Sequence, residues 1–280
     1  VRLARFNTEY GHRILASHRD GWVSLSALEG HEAPRRLADL LEPARRREIA
    51  GLLGSLAEAE HTDVRLEDAA TVVDAGDVWG AGLNYKGHSE DLQTQQPSSG
   101  PGSYLRPGNC LIGNGRPIEL PAQSERVTAE AELGLVIGTA CKNVRRDEWR
   151  SVVAGVTAVL DLTAEDVIRE NPRYIPWAKG FDTFCSVGPQ VVTLDEFEDA
   201  DLEAIEVSTV LNGQVVASAP VSDMKYDLGY LVEYFTAGRT FAPGTVICTG
   251  TPGAAVISPG DTITAVVEGV GTLTHTVVPA

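Results

Sequence analysis

No run of about eighteen apolar residues occurs anywhere in the sequence, so no segment is expected to cross a bilayer as a helix. The N-terminal stretch VRLARFNTEYGHRILASHRDG contains neither an apolar h-region nor a small-residue cleavage site, so a secretory leader is not expected and the chain is assigned to the cytoplasm. Basic residues are few, 23 against 39 acidic ones, for a net charge of −16. The densest basic cluster is Arg45–Arg47, on what reads as an ordinary amphipathic helix. Nucleic-acid binding needs a concentrated positive surface and is not expected. A negative chain also repels anionic metabolites out to about a Debye length, so an acidic substrate needs local positive charge in its site. Only four cysteines are present, Cys110, Cys141, Cys185 and Cys248, with no CxxC pair. Reduced, packed thiols are expected rather than a zinc knuckle or redox dithiol. Gly80-Ala81-Gly82 lacks the third glycine of a dinucleotide loop, since Tyr85 stands there, so a Rossmann reading is weak.

What is present is an ordinary globular share of apolar residues, 43% of 280, enough for one large domain or two modest ones. The first seventy residues read as a small α+β lead-in. Arg2–Phe6, Arg13–Ala16 and Trp22–Leu25 are short strand candidates. Leu37, Leu40 and Leu41 give one helical stripe, and Ile49, Leu52, Leu53 and Leu56 a second, with Pro43 between them and a linker at Glu60–Asp63. From about Thr71 the texture turns to short β-rich runs punctuated by glycine and proline. Asn212-Gly213 in IEVSTVLNGQVVAS predicts a hairpin with a type I′ turn, and DTITAVVEGVGTLTHTVV a second strand pair. Helices are predicted at Arg146–Trp149 and at Asp223–Ala237, the latter capped by Asp223. No internal repeat is evident, and Gln93–Gly102 is a polar loop long enough for a lid.

Val127–Gly138 reads VTAEAELGLVIG. Strand alternation puts Glu130 and Glu132 on one face, about 7 Å apart, where like charges repel unless water or a cation lies between them. The alternative is a solvated strand face. Asp161 sits in the apolar run GVTAVLDLTAEDV, where a carboxylate needs a partner or a metal, or serves as the N-cap of a helix starting near Thr163. Glu130, Glu132 and Asp161 together are hard oxygen donors suited to Mg²⁺, Mn²⁺ or Ca²⁺. His88 in NYKGHSEDL, followed by Glu90 and Asp91, is either a general base oriented by a carboxylate or an exposed loop histidine. Lys179 in PWAKGFDTF either snorkels or places a cation in a pocket. VICTGTPGA sets Thr249, Gly250, Thr251 and Pro252 at a strand end, where hydroxyls and N–H groups can meet a carboxylate.

In order and spacing, GLNYKGH, EAELGLVIG, AVLDLTAED, AKGFDTFCSVGP, the NG hairpin, SDMKYDLGYLV, VICTGTPG and EGVGTL resemble the fumarylacetoacetate hydrolase family over roughly Val78–Leu273. The resemblance implies an α+β fold: a mixed β-roll catalytic domain over 71–280, a small N-terminal α+β domain over 1–70, and a homodimer. It also implies Mg²⁺ or Mn²⁺ held by Glu130, Glu132 and Asp161. Lys179, His88, Asp91 and Glu90 become the catalytic candidates, and Tyr85, Arg106, Gly250 and Thr251 the substrate-binding ones. Three departures stand out. The acid three residues after the histidine in NYxxHxxE is Asp91, the familiar TARDLQ is TAEDVI with Glu165 and Ile168, and Arg106 in YLRPGN replaces a common lysine. An acid at 165 is expected to disfavour a second substrate carboxylate nearby, with Arg106 compensating by a bidentate grip. The implied chemistry is C–C hydrolysis of an acylpyruvate or 1,3-diketo acid, with His88 activating water. Decarboxylation, isomerisation or dehydration of related 2-oxo acids on the same scaffold is the alternative, and a repurposed non-catalytic binder a further one.

Overall fold

The computed structural model describes residues 1–280 apart from 10, 26–33, 35, 57–60 and 88–97. His88, Glu90, Asp91 and half of the polar loop after them therefore lie outside the described residues.

Period-two runs fold as strands. In chain order these are β1 (Arg2–Thr8), β2 (Gly11–His18), β3 (Gly21–Ser24), β4 (Ala69–Ala70), β5 (Val78–Gly82), β6 (Gly102–Arg106), β7 (Leu111–Ile112), β8 (Ile118–Leu120) and β9 (Val127–Ile137). They continue with β10 (Val153–Ala164), β11 (Cys185–Thr193), β12 (Glu206–Leu211), β13 (Gln214–Pro220), β14 (Val246–Cys248), β15 (Ala254–Ile257), β16 (Thr262–Val267) and β17 (Gly271–Pro279). The helices are α1 (Pro43–Ser55), α2 (Glu165–Glu170), α3 (Ile175–Ala178), α4 (Asp199–Ala204) and α5 (Leu228–Thr236), joined by short 3₁₀ turns.

The larger sheet runs β3-β2-β1-β11-β10-β9-β14-β5-β6, with β15 on β9, β4 on β1 and β7 on β11. The smaller runs β13-β12-β16-β17-β8. Most pairs are antiparallel, but β14–β5, β11–β7 and β17–β8 are parallel, so the sheets are mixed and the protein is α+β. The central strands β10 and β11 are buried along their whole length, and β9 is buried everywhere but Glu130. Such strands read as continuous apolar runs, not as alternation. One face of β9 is covered by the second sheet: Thr209 of β12 accepts the Ala131 N–H at 3.0 Å through its hydroxyl. The sheet is continuous across position 70, because Arg2, Leu3 and Ala4 of β1 pair with Val192, Val191 and Gln190 of β11.

The hairpin at Asn212-Gly213 forms with both residues at positive φ, 51° and 79°, as a type I′ turn requires. Three helix expectations change, the first being Arg146–Trp149, which forms a 3₁₀ helix over Arg146–Ser151. The Leu37–Leu41 stripe forms only a 3₁₀ turn at Leu37–Leu40, while α1 begins at Pro43, which suits a first helical position. The helix predicted from Asp223 starts at Leu228, and its cap is Asp227, whose carboxylate accepts the Tyr230 N–H at 2.8 Å. Residues before it are held elsewhere: Lys225 N–H bonds to the Asn84 carbonyl at 2.8 Å and Tyr226 N–H to Asn84 Oδ1 at 2.9 Å. Among the described residues no helix is long and apolar enough to cross a membrane.

Candidate metal centre

The register of β9 on β10 answers why two glutamates share a strand face. Asp161 lies directly opposite Glu130, and Glu132 sits two residues along, opposite Val159. Directly opposed side chains are about 5 Å apart at Cβ and diagonal ones about 7–8 Å, so three carboxylates converge on one spot. Their ligand oxygens all lie within 4.8 Å of one another. Asp161 is inside β10 and caps no helix, since the strand continues to Ala164.

Each carboxylate is held differently. Glu132 is buried, and its Oε2 accepts the Gly250 N–H at 2.8 Å. Gly250 sits at φ +96°, and a Cβ there would come within 2.8 Å of the Asn84 side chain, so only glycine brings that N–H to the carboxylate. Burial and the negative charge of Glu130 push the Glu132 carboxyl up to about 8. Asp161 is fully buried and accepts from Lys179 Nζ at 2.7 Å, from the Tyr104 hydroxyl and from the Arg106 guanidinium. Lys179 Nζ also donates to Thr163 Oγ1 at 2.7 Å, lies 3.9 Å from Glu130, and stands 4.4 Å over the Tyr104 ring. Burial, with Arg106 nearby, brings the Lys179 ammonium down to about 8.

The other expected residues are placed as follows. Arg106 is buried, and besides Asp161 it donates to the carbonyls of Lys179 and, at 2.8 Å, Leu162. Its guanidinium is turned into protein, which leaves no fork open for a bidentate substrate grip. Thr251 Oγ1 donates to Gly253 O at 3.0 Å, within its own turn. Tyr85 is buried, and its hydroxyl has no partner among the described residues. Burial, together with Glu132 nearby, holds that phenol protonated. Glu165 is flanked by arginines rather than standing as a bare acid: Arg126 Nε reaches its Oε2 and Arg169 Nη2 its Oε1, both at 2.5 Å.

Tyr104, Thr163 and Asn84 escape a reading of the sequence alone. Tyr104 and Arg106 are two apart on β6, a same-face spacing that would have paired them. Asn84 Nδ2 donates to Tyr226 O at 3.0 Å and Thr249 O at 2.8 Å, tying the NYK segment to the strand-end turn.

The donor set fits a hard divalent cation. Three carboxylates face two cations, Arg106 and Lys179, which leaves one net negative charge. Two added positive charges and a monoanionic oxo acid bring the cluster to neutrality, the low-energy condition for a buried site. The elevated Glu132 carboxyl points the same way, since it is poorly stabilised as an anion without more positive charge.

The model of the fumarylacetoacetate (FAA) hydrolase C-terminal domain matches residues 77–278. A protein of Mycobacterium tuberculosis is 42% identical over 199 residues, covering 70% of this chain and 73% of that one. The mitochondrial oxaloacetate decarboxylase of Dictyostelium discoideum is 31% identical over 196 residues, covering 68% and 88%. Among solved structures, the maleylpyruvate hydrolase of Sphingobium sp. SYK-6, in complex with manganese(II) and pyruvate, superposes with a TM-score of 0.81 at 29% identity, with all of both chains covered. With the family model matched over a span that takes in β9, β10, the lysine turn and the Gly250 strand end, this chain belongs to the fumarylacetoacetate hydrolase family of enzymes.

Proposed function

We propose that the protein is a divalent-metal-dependent hydrolase that cleaves a C–C bond in an acylpyruvate or 1,3-diketo acid. The observation that carries this reading is the convergence of three carboxylate oxygens beside a buried, hydrogen-bonded lysine. Glu130, Glu132 and Asp161 would hold Mg²⁺ or Mn²⁺, Ca²⁺ being a weaker candidate. When bound, such an ion supplies Lewis-acid polarisation of a 2-oxo carbonyl and stabilises negative charge developing on it.

The chain's own residues do the rest. Lys179 keeps its ammonium fixed between Asp161 and Thr163, adding positive charge where an oxyanion develops without reorganising to do so. The Gly250 N–H orients Glu132, and Arg106 pins both Asp161 and the Lys179 main chain. The Tyr85 hydroxyl, without a partner among the described residues, would donate to substrate, and the Thr251 turn would form the adjoining wall. His88, outside the described residues, is the general base this reading assigns, with Asp91 or Glu90 as its carboxylate partner. It would take a proton from the water whose oxygen adds to the distal carbonyl as the C–C bond breaks toward the 2-oxo end.

Turnover of an acylpyruvate panel with Mg²⁺ or Mn²⁺, abolished by a chelator, is the expected result. Complete inactivity across that panel and a set of 2-oxo acids would favour a binding protein that keeps the fold. Glu132→Ala should lose metal binding and turnover together; calorimetric titration giving wild-type Mn²⁺ affinity in that variant refutes the ligand assignment.

The similarity to an oxaloacetate decarboxylase supports a second reading, decarboxylation or tautomerisation of a 2-oxo acid, which needs no attacking water. His88→Ala separates the two, since a hydrolase collapses whereas loss of CO₂ from oxaloacetate partly survives. The assembly we propose is a cytoplasmic homodimer. Exposed Val215 and Val216 on the edge strand β13 are consistent with a covered surface, and sedimentation velocity tests it.

A further inference from the structure

Two histidines meet at the outer edge of the larger sheet, on elements that take no part in the acidic trio. β3 ends the strand order, and beyond it Thr62 forms an isolated bridge with Trp22, donating its N–H to the Trp22 carbonyl at 2.7 Å. Within the β2–β3 hairpin His18 is the register partner of Gly21. Directly paired residues carry their side chains on one face, so Gly21 leaves the place opposite His18 without a side chain. His61 fills it. A Cβ on Gly21 would fall 2.5 Å from Cγ and Nδ1 of the His61 ring, so this imidazole stands where a cross-strand neighbour of His18 belongs. The two ring centroids are 6.0 Å apart, with their planes inclined at 56°.

Ring packing alone would account for that spacing. It leaves His18 Nδ1 unexplained, which is buried and has no hydrogen-bond partner among the described residues. A buried polar atom costs free energy until something meets it, and an imidazole nitrogen meets either a hydrogen-bond partner or a metal. Zinc–imidazole bonds are about 2.0–2.1 Å long, which puts two ring centroids on one ion about 5–6.5 Å apart, according to the angle between the bonds. The observed 6.0 Å falls inside that range. His61 is exposed and His18 half-buried, so an ion can enter from solvent and keep water in its remaining positions.

We propose that His18 and His61 form a metal site separate from the acidic trio, a two-histidine clamp for Zn²⁺. Imidazole nitrogen suits Zn²⁺, Ni²⁺ and Cu²⁺, whereas carboxylate oxygens suit the harder Mg²⁺ and Mn²⁺, so donor chemistry sorts the ions between the two places. The clamp ties residues 61–64 to the end of the hairpin through side chains, reinforcing the main-chain bond from Thr62 to Trp22. An open sheet edge presents unpaired main-chain groups, and the ion fastens a cover over this one at β3.

Selective ¹⁵N-histidine labelling of the full chain gives six imidazoles, with the two in the clamp assigned through His18→Gln and His61→Gln. Up to two equivalents of Zn²⁺ should move the ring-nitrogen signals of His18 and His61 together, with one common affinity. His61→Gln, at the exposed position, should weaken the His18 response to Zn²⁺ by about tenfold or more, because a single imidazole has lost the chelate. Hydrogen exchange at the Thr62 amide should slow with Zn²⁺ in the wild type and stay unchanged in His61→Gln. Ring signals that remain in place through two equivalents of Zn²⁺, or a His18 response that is the same in His61→Gln, overturn the site. Either result leaves the carboxylate ligands untouched, because they carry no ring nitrogen.

Discussion

A buried guanidinium is costly unless its donors are met, and Arg106 meets Asp161 and two carbonyls through its two terminal nitrogens, while its Nε has no partner among the described residues. Arg106→Ala leaves Asp161 with one cation fewer and removes one donor from each of the two carbonyls. Breaking such a buried pair costs about 3–5 kcal/mol. Urea unfolding should show a lowered midpoint with unchanged slope, and an unaltered midpoint would mean that the pair contributes nothing. The same residue marks the limit of reading a sequence. Residue type announced a cation near the site, but which oxygens it meets is fixed by Lys179 and Leu162, far away in the chain. Glu130, Glu132 and Asp161 were legible because parity along one strand and the isolation of an acid in an apolar run are local signals. Tyr104 and Thr163 were not, because neither breaks a local pattern.

The strand pair β5–β6 shows how one element shapes another. Gly80 faces Tyr104 in register, and a Cβ on Gly80 would fall within about 2 Å of the tyrosine ring. Gly80 therefore serves close approach within a strand, not phosphate binding in a loop. Its missing Cβ leaves room for the ring, whose hydroxyl reaches Asp161. Gly80→Ala should displace the ring and destabilise the protein by about 1–3 kcal/mol, the usual range for overpacking. Combining it with Tyr104→Leu should cost less than the sum of the single changes, and strict additivity in that double-mutant cycle would show that the two positions do not touch. At this scale strands with even spacing and the Asn212-Gly213 turn were legible. The start of α5 was not, because Asn84, distant in sequence, holds residues 225 and 226 out of the helix.

For the whole molecule, the acidic trio ties stability to the ion. If the trio binds Mn²⁺ in the folded state alone, stability rises by about 2.7 kcal/mol at a hundredfold excess over Kd, and calorimetry should show a melting temperature that climbs with metal and returns with chelator. Glu132→Ala should abolish that climb. The N-terminal residues enter this cooperative unit through the β1–β11 ladder, a long-range pairing that strand periodicity alone does not reveal.

A second linkage concerns acid and sits in the smaller sheet. His275 of β17 is almost wholly buried; its Nδ1 donates to the Arg116 carbonyl at 2.7 Å, and its Nε2 has no partner among the described residues. Protonating Nε2 places a charge where nothing receives it, and burial lowers the imidazolium to about 4 from the ordinary 6.5. Between those values the unfolded chain binds more protons than the folded one, so stability rises with pH through the window. The contribution is fully present above about pH 6.5 and is lost as pH falls toward 4, amounting to about 3 kcal/mol for a shift of this size. In the metal-free protein Glu132 runs the other way, its stabilising share present below 4.5 and lost as pH rises through about 8. Subtracting variant from parent removes that share. His275→Asn keeps a donor for Arg116 but cannot titrate, so the difference between the two unfolding curves should grow across pH 4–6.5 and flatten above it. A difference that stays constant over that range would show that the imidazole finds a partner for its second proton inside the fold.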